Sequence, residues 1–384
     1  MKFLAKIRII IKKSFVLKSL VISLFAFLLS YGLYHGLNKY LYYFGIDTSN
    51  LSYLQQYYEN INSTTTIDNR SNDIIILSVN DSTNRDSIAV ALDTIFNYKP
   101  KVVGIDFFFS SNILDNDSLL KDRIQKHADS IVLAQVYGGD GDIERGIFDK
   151  DSLLTFGLIH SYNDIRFPYK DNGYYNFAYE IAKKYNPTLF DNEKLLDNFV
   201  INYSNINFHH IDILGYKNAS KEEKEYKDEI IDNNVRNKIV LIGPYDDVFD
   251  IHPTQFVIEK KRMLSGIKFH AYAINSLIHP EIAMKELSIE SCGNMLIFWG
   301  FCFIYSLFFV LFTDENIKHR KWFAPLTTWP SSIILVIIAA IILACGFYLM
   351  KYFKIIPDVT PLFISIFVIN TLSDLLSRFF ILKK

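Results

Sequence analysis

Cysteine is scarce in this chain and is confined to strongly apolar surroundings. The 384 residues include three cysteines, all in or beside long apolar runs: Cys292, Cys302 and Cys345. The polar stretch between the first two apolar runs contains none, which excludes a disulfide framework, a thiolate metal site and a cysteine nucleophile there. That stretch, residues 45–290, is long enough to bury a stable core without covalent cross-links.

Several well-marked catalytic and nucleotide-binding motifs are also absent. The sequence contains no Gly-x-Ser-x-Gly elbow, no P-loop, no His-Glu-x-x-His and no Gly-x-Gly-x-x-Gly. The glycine-rich stretch Gly138–Asp142 lacks the spaced carboxylates and closing glutamate of a calcium loop, so it is interpreted as a turn. We therefore expect no cofactor and no catalytic residues, although hydrolysis by an Asp/His pair stays open.

Four long apolar runs are the most prominent feature that is present. Because a helix needs about 20 apolar residues to cross a bilayer, each run is predicted to be a transmembrane helix. The predicted helices cover 15–37, 292–312, 331–350 and 355–376. The first run has no small-x-small cleavage pattern after it, so it is interpreted as an uncleaved anchor and not as a signal peptide.

The basic residues predict how these helices are oriented. Lys and Arg cluster in residues 1–14, in the loop 313–330 and in the tail 377–384. With four crossings these segments all lie on one side of the membrane, and the positive-inside rule makes that side the cytoplasm. Both termini are therefore predicted to be cytoplasmic, and residues 45–290 to be extracytoplasmic.

Charge is unevenly divided between this outer stretch and the rest of the chain. Residues 45–290 hold 25 Lys and Arg against 37 Asp and Glu, a net charge of −12, whereas the remainder holds 15 against 4. Nucleic-acid binding needs a basic face, so the acidic balance argues against it. The excess of carboxylates is interpreted as a solvated surface that keeps the stretch soluble.

Within residues 45–290, short apolar segments alternate with helical patterns. Strands are predicted over 74–79, 101–105, 131–136, 153–159, 199–203 and 238–244, and helices over 88–98, 115–130, 174–185, 221–232 and 266–277. Apolar strands separated by one helix favour a right-handed crossover between parallel strands. The predicted fold is an α/β domain, with a mixed or mostly parallel sheet and helices on both faces, flanked by four α-helical transmembrane segments.

The stretch Arg236–Leu277 organises the predicted domain. It begins with a buried strand, Lys238–Pro244, continues as an acidic turn over Tyr245–Thr254, and ends in a helix over Gly266–Leu277. Four successive apolar residues in the strand are typical of a strand covered on both faces. The carboxylates and His252 follow its carboxyl end, where open α/β sheets usually bind ligands.

Carboxylates follow several of the predicted strands. Asp81, Asp106 and Asp250 each lie directly after or soon after a strand, and in a parallel sheet they converge at one edge. Together with His252 they suit a divalent cation, or a cationic or polyol ligand, and the presence of a metal stays open. The alternative is that the carboxylates cap helices or hold turns, and that His270 in the following helix is a buried structural residue.

Six segments of the chain occur in a recognisable order. They are Ile74–Asp81, Pro100–Phe109, Ile201–Tyr203, Asn237–Gly243, Asp250–Thr254 and Gly266–Ala271. In content and order they resemble the CHASE2 family, extracytoplasmic sensory domains of bacterial membrane receptors. The layout, with one predicted helix before the domain and three after it, also resembles that family. The resemblance implies a periplasmic sensory domain over residues 45–290.

The resemblance also implies a ligand-binding site drawn from these segments. Its candidate residues are Asp81, Asp106, Asp250, His252, Thr254 and His270. The predicted protein is a multi-pass receptor of the bacterial inner membrane, embedded in the lipid bilayer, that binds an unknown periplasmic ligand.

Receptors that resemble this chain usually continue into a cyclase, kinase or phosphatase module. Here the sequence ends at Lys384, eight residues after the last apolar run, so the expected output is a separate protein. Two alternatives stay open: an extracytoplasmic enzyme that uses Asp106, Asp250 and His252, and a membrane assembly platform with no small-molecule ligand. A homo-oligomer is also compatible with the sequence.

Overall fold

The computed structural model of the chain contains two compact units. One comprises Met1–Leu54 together with Lys285–Lys384, and is called the terminal unit below; the other, Gln55–Met284, is called the central unit. The structure describes residues 15–43, 70–79, 85–110, 117–159, 169–190, 199–203, 206–212, 232–245, 250–258, 261–287, 292–313, 331–353, 355–357, 361–369 and 371. The charged helix predicted over 221–232 lies outside these residues except for its last one.

The secondary structure of the described residues follows the predicted alternation. The helices are α1 (Phe15–Tyr43), α2 (Arg85–Asn97), α3 (Asp117–Lys126), α4 (Phe177–Tyr185), α5 (Gly266–Ile278), α6 (Cys292–Thr313) and α7 (Ser331–Tyr348). The strands are β1 (Arg70–Val79), β2 (Val102–Ile105), β3 (Ile131–Tyr137), β4 (Ile143–Glu144), β5 (Thr155–Leu158), β6 (Lys170–Asp171), β7 (Tyr174–Tyr175), β8 (Phe199–Val200), β9 (Asn207–Asp212), β10 (Ile239–Pro244), β11 (Ile251–Ile258), β12 (Lys261–Ser265), β13 (Met284–Leu287) and β14 (Ile355–Pro357).

The central unit is built on a mixed, mostly parallel sheet. Its strand order is β4-β3-β2-β10-β1-β9, and β5 also pairs with β3. Every pairing in it is parallel except that of β3 with β4. The predicted sheet type is therefore confirmed.

Strand β10 lies at the centre of this sheet. The crossover from β1 through α2 to β2 leaves a gap that β10 fills, because Ile239 is paired with Ile74 on one side and with Val102 on the other. The four apolar residues Ile239–Ile242 are fully buried. The prediction of a strand covered on both faces is confirmed for this segment.

Helices cover both faces of the sheet. On one face, α2 and α3 join alternate strand residues in one apolar core; representative members are Leu92, Leu120, Ile75 and Val240. On the other face, a Cβ on Gly104 of β2 would meet Ile181 and Phe177 of α4. The alternation of side chains along each strand directs successive residues into these two layers.

The segment between β10 and α5 is not the long turn that the sequence predicted. Residues Ile251–Ile258 form β11, which pairs antiparallel with β12. The expectation of a turn is therefore wrong from residue 251 onward. Proline is uncommon inside sheets and tolerated at strand edges, so Pro253 concealed a strand that belongs to a two-stranded ribbon.

A second hairpin was also missed, although the sequence carries its signal. Strands β6 and β7 are joined at Asn172 and Gly173, which have φ angles of 47° and 93°. Asn-Gly favours a two-residue hairpin turn because both positions need a positive φ.

In the terminal unit, one described helix is long and apolar enough to cross a membrane. It is the part of α1 from Val16 to Gly36, with a mean hydropathy of 2.0. The apolar helical segments Asn294–Leu307 and Ala340–Phe353 are shorter. Of the four predicted crossings, the described helices therefore support the first, which is formed by α1.

The packing of α1 against α6 has an unusual distribution of residue types. Ser19, Ser23 and Ser30 of α1 are fully buried, whereas Phe25 and Leu28 are 59% and 58% exposed. The hydroxyl of Ser19 donates to a backbone carbonyl of α6, and ring contacts lie further along the same pair of helices. Small polar side chains are therefore buried in this pair together with some aromatic rings, whereas several large apolar side chains of α1 are exposed.

The close approach of β5 to α4 gives a test of the fold. A Cβ on Gly157 would overlap the backbone of Phe177, whereas one on Gly139 would meet nothing within 4 Å. We expect Gly157→Ala to lower the free energy of unfolding of the central unit by about 2 kcal/mol, because overpacking moves backbone. Pulse proteolysis of the full chain in urea measures this, with Gly139→Ala as the control; equal stability of the two variants would contradict the packing.

Candidate functional site

Four chemistry-bearing side chains converge at the carboxyl edge of the sheet. Asp106 follows β2, Asp250 directly precedes β11, His252 is the second residue of β11, and His270 belongs to α5. The distance from Asp250 Oδ1 to His252 Nε2 is 3.1 Å, and that from Asp106 Oδ1 to His270 Nε2 is 3.8 Å. These four residues are called the Asp/His cluster below.

The backbone of β10 holds Asp106 in this cluster. The N–H of Asp106 donates to the carbonyl of Ile242 at 2.8 Å, which extends the parallel ladder by one residue beyond β2. A Cβ on Gly243 would lie 2.7 Å from Ile267 Cδ1 and 3.1 Å from Asp106 Cβ. Glycine at this position therefore lets both α5 and Asp106 approach the end of β10.

Asp250 binds the first turn of α5. Its Oδ2 accepts a hydrogen bond from the N–H of Gly266 at 3.1 Å, and its Oδ1 faces His252. Ser265 occupies the N-cap position but makes no capping bond, so a carboxylate from a different strand performs that role. A negative charge there is favourable because the helix dipole is positive at its N-terminus.

The contact between Asp250 and the first turn of α5 depends on a glycine at position 266. A Cβ on Gly266 would lie 2.8 Å from Asp250 Oδ2 and 2.9 Å from its Oδ1. Any other residue would move the carboxylate away from the helix, and with it the imidazole that it holds.

The inner half of the cluster is uncharged near neutral pH. Burial, reinforced by the negative charge of Asp250, raises the pKa of Asp106 to about 8. Burial, together with His252, lowers the pKa of His270 to about 3. Asp106 therefore keeps its proton beside a neutral imidazole, since ionising either group alone inside the protein costs desolvation energy.

The outer half of the cluster is partly exposed. The side chains of His252 and Asp250 are 40% and 31% exposed. The hydrogen bond to Asp250 is the main reason that the pKa of His252 is raised. The cluster thus has the side chains of Asp250 and His252 at its partly exposed rim, and a carboxylic acid and a neutral imidazole behind them.

The cluster contains hydrogen-bonding groups of several kinds. A protonated carboxyl donates, a carboxylate accepts, and a neutral imidazole does both. Among the described residues, no group of three or more His, Cys, Asp and Glu side chains is arranged to hold a metal ion. The arrangement suits a polar organic ligand or a polar group of a partner.

The structure places most of the predicted site residues together. Asp106, Asp250, His252 and His270 converge as the parallel-strand argument predicted, and their role in binding stays a prediction. Asp81 lies outside the described residues, as do the two aspartates of the acidic turn, Asp246 and Asp247. Thr254 lies in β11, but its side chain is outside the described set.

The structure contradicts the expectation for His252 and agrees with one of the two expectations for His270. His252 lies in β11 and not in a turn, so that expectation is wrong. His270 is 1% exposed and its ring lies edge-on to Phe177 at 5.0 Å, as expected of a buried structural residue.

Sequence reasoning missed three residues at the site. Gly243 and Gly266 make room for its carboxylates, and a glycine at a strand end or a helix start is the signal that would have found them. Ser265, 5% exposed, has a hydroxyl oxygen without a hydrogen-bond partner among the described residues. No pattern in the sequence marks it.

The buried carboxyl of Asp106 makes stability depend on pH. Unfolded, Asp106 loses its proton near pH 3.8, whereas the folded protein keeps it to about pH 8, so folding stability falls as pH rises between these values. From about pH 4 to 6.5 the lowered pKa of His270 offsets this fall, because there the unfolded state binds the extra proton on that imidazole. The net loss therefore lies between pH 6.5 and 8, and amounts to about 2 kcal/mol.

Asp106→Asn removes this loss. Between pH 6.5 and pH 8 the variant should gain about 2 kcal/mol of stability relative to the parent, because only the parent carries the Asp106 proton that is lost on unfolding. Pulse proteolysis in urea of the full chain at both pH values measures this difference. The raised pKa of His252 contributes a smaller loss in the same direction, and it is present in both proteins. Asp93→Asn, which removes a half-exposed carboxylate on α2, is the control; an undiminished loss in Asp106→Asn would refute the assignment.

The comparison with known families covers the whole of the central unit. Residues 40–308 match the family model described as CHASE2 domain. No curated protein and no solved structure matches the chain. The matched residues make up more than half of the sequence, and they include both the sheet and the Asp/His cluster. The chain therefore belongs to the CHASE2 family of extracytoplasmic sensory domains.

Proposed function

We propose that this protein is a membrane-anchored sensor whose central unit binds a ligand or partner at the Asp/His cluster. The observation that carries the proposal is the convergence of Asp106, Asp250, His252 and His270 at the carboxyl edge of the sheet. Open α/β sheets bind ligands at that edge. Membership of a sensory family supports a binding role over a purely structural one.

The ligand class follows from the groups that face outward. The exposed carboxylate of Asp250 accepts hydrogen bonds, and behind it Asp106 donates one as a carboxylic acid. A cationic or polyol ligand supplies complementary hydroxyl or ammonium groups. A bound ligand that competes for the carboxylate of Asp250 changes its contact with Gly266, and so acts on the first turn of α5.

The membrane arrangement is part of the proposal. We propose four crossings, near 15–37, 292–312, 331–350 and 355–376, with both termini in the cytoplasm. The packing of α1 with α6 supports the first two of these crossings, because membrane helices associate through small residues and direct large apolar ones to lipid. Ser23 is buried there and Phe25 is exposed, the reverse of what water-soluble helices show.

The partners are also proposed. A separate output protein receives the signal at the cytoplasmic side, where the proposed loops are rich in Lys and Arg. The receptor acts alone or as a homo-oligomer. Cross-linking of the full chain in native membranes, followed by identification of the linked proteins, tests for the output protein and for a second copy of this chain. Recovery of uncross-linked chain alone would contradict both partners.

The binding site is tested on the full chain in nanodiscs. Candidate polyols and cationic compounds are screened for an increase in thermal stability, which reaches about 2.7 kcal/mol at a ligand concentration of 100 times Kd. Asp250→Asn and His252→Gln should abolish the shift, and Asp93→Asn should keep it. A ligand that stabilises Asp250→Asn and the parent equally binds elsewhere.

Catalysis is the second candidate function, and one observation favours it. The hydrogen bond between Asp250 and His252 resembles the pair in which a carboxylate orients a general base. If the central unit is an enzyme, turnover of an extracytoplasmic substrate is lost in Asp250→Asn while the fold stays intact. Binding without turnover in the parent protein separates the two functions.

The proposed topology has its own test. Single cysteines at Gln125, in the central unit, and at Lys318, in the predicted cytoplasmic loop 313–330, are introduced into a chain whose native cysteines are replaced by alanine. A membrane-impermeant maleimide applied to intact cells should label the first position and not the second. Labelling of both, or of Lys318→Cys alone, would contradict the orientation.

A further inference from the structure

The C-terminal end of α5 is bound to the sheet on the side opposite the Asp/His cluster. His279, the residue after α5, has its Nε2 2.9 Å from Asp73 Oδ2 near the start of β1. The other oxygen of Asp73 accepts from the hydroxyl of Tyr185 in α4 at 2.9 Å. Helix α5 is therefore held by a carboxylate at each end: Asp250 at the first turn and Asp73 past the last.

The chain leaving α5 stays attached to the central unit for a few more residues. The backbone carbonyl of Ile282 accepts from the side-chain amide of Asn202 at 2.7 Å. Ala283 and Met284 are buried. The segment after α5 is thus fixed by backbone and side-chain contacts and not only by its covalent connection to the helix.

The same segment then enters the terminal unit as a strand. Lys285, Glu286 and Leu287 of β13 pair in parallel with Ile355, Ile356 and Pro357 of β14. Strand β14 lies between α7 and the helix at 361–369, and β13 is followed along the chain by α6. We call residues 279–287 the exit segment.

We propose that the exit segment transmits the position of α5 to the helices of the terminal unit by two routes, along the chain to α6 and across the β13–β14 ladder to α7 and the helix at 361–369. One end of the segment is held by His279 and Ile282, and the other by three residue pairs of the ladder. A displacement of α5 that loosens the first end therefore loosens the second. This inference rests on the proposed sensory function for its purpose.

The mechanism needs no ligand to be tested. Asp73→Asn removes the charge that His279 faces, and Tyr185→Phe removes the other hydrogen bond to the same carboxylate but leaves the histidine contact. Hydrogen exchange of the full chain in nanodiscs is followed in peptides covering 279–284 and 355–357. In Asp73→Asn both peptides should exchange about fivefold faster, because local opening governs exchange.

Three results of this experiment would overturn the proposal. These are faster exchange at 279–284 with no change at 355–357, no change at either segment, and the same change at 355–357 in Tyr185→Phe. His279→Gln, which breaks the contact from the other side, should reproduce the Asp73→Asn result and covers the case in which that variant does not fold. Asp93→Asn on α2 should leave both segments unchanged.

A cross-link distinguishes the ladder from general loosening. Glu286→Cys and Ile356→Cys are paired in register, at a spacing suited to a disulfide, in a chain whose native cysteines are replaced by alanine. With the disulfide formed, Asp73→Asn should no longer speed exchange at 355–357. Continued acceleration would show that the ladder is not the route. No ligand is used in this experiment, so a negative result would contradict the transmission route and not the proposed binding site. In the same way, failure of the ligand-binding test would not contradict the transmission route.

Discussion

The close approach of α5 to the end of β10 is the constraint on which the rest of the central unit depends. It requires Gly243 on the strand and Gly266 on the helix, since a Cβ at either position would meet a neighbouring side chain within 3 Å. This approach brings Asp106, Asp250 and His270 together. His279, the residue after the same helix, contacts Asp73 near the start of β1, away from the carboxyl edge of the sheet.

Electrostatics divides the Asp/His cluster into two parts with different properties. Buried Asp106 and His270 stay uncharged, because desolvation outweighs the attraction that would come from charge separation. Asp250 and His252 are partly exposed and remain available to solvent. The cluster therefore has a polar, partly exposed rim and a neutral, buried interior. The carboxylate of Asp250 is the connection between them.

Much of the fold was predictable because apolar runs carry strong signals. The strand Ile239–Pro244 has four successive apolar residues, and α2 and α4 show clear helical spacing, so their existence followed from pattern alone. The β11–β12 ribbon did not, because Pro253 and the charged residues before α5 are typical of loops. For the site, the convergence of Asp106 with Asp250 was predictable from parallel strands. The contact of Asp250 with Gly266 was not predictable, because these two residues lie at opposite ends of the β11–β12 hairpin, which the sequence did not reveal.

The sequence by itself determined the family, the alternation of strands and helices, the acidic character of the central unit and the identity of the four cluster residues. These properties depend on residue type and spacing along the chain. The tertiary structure alone decided that β10 lies between β1 and β2, that Asp250 binds the first turn of α5, and that β13 pairs with β14. It also decided that Asp106 keeps its proton near neutral pH, because burial and the distance between segments remote in sequence set the pKa of Asp106, and neither can be read from residue order.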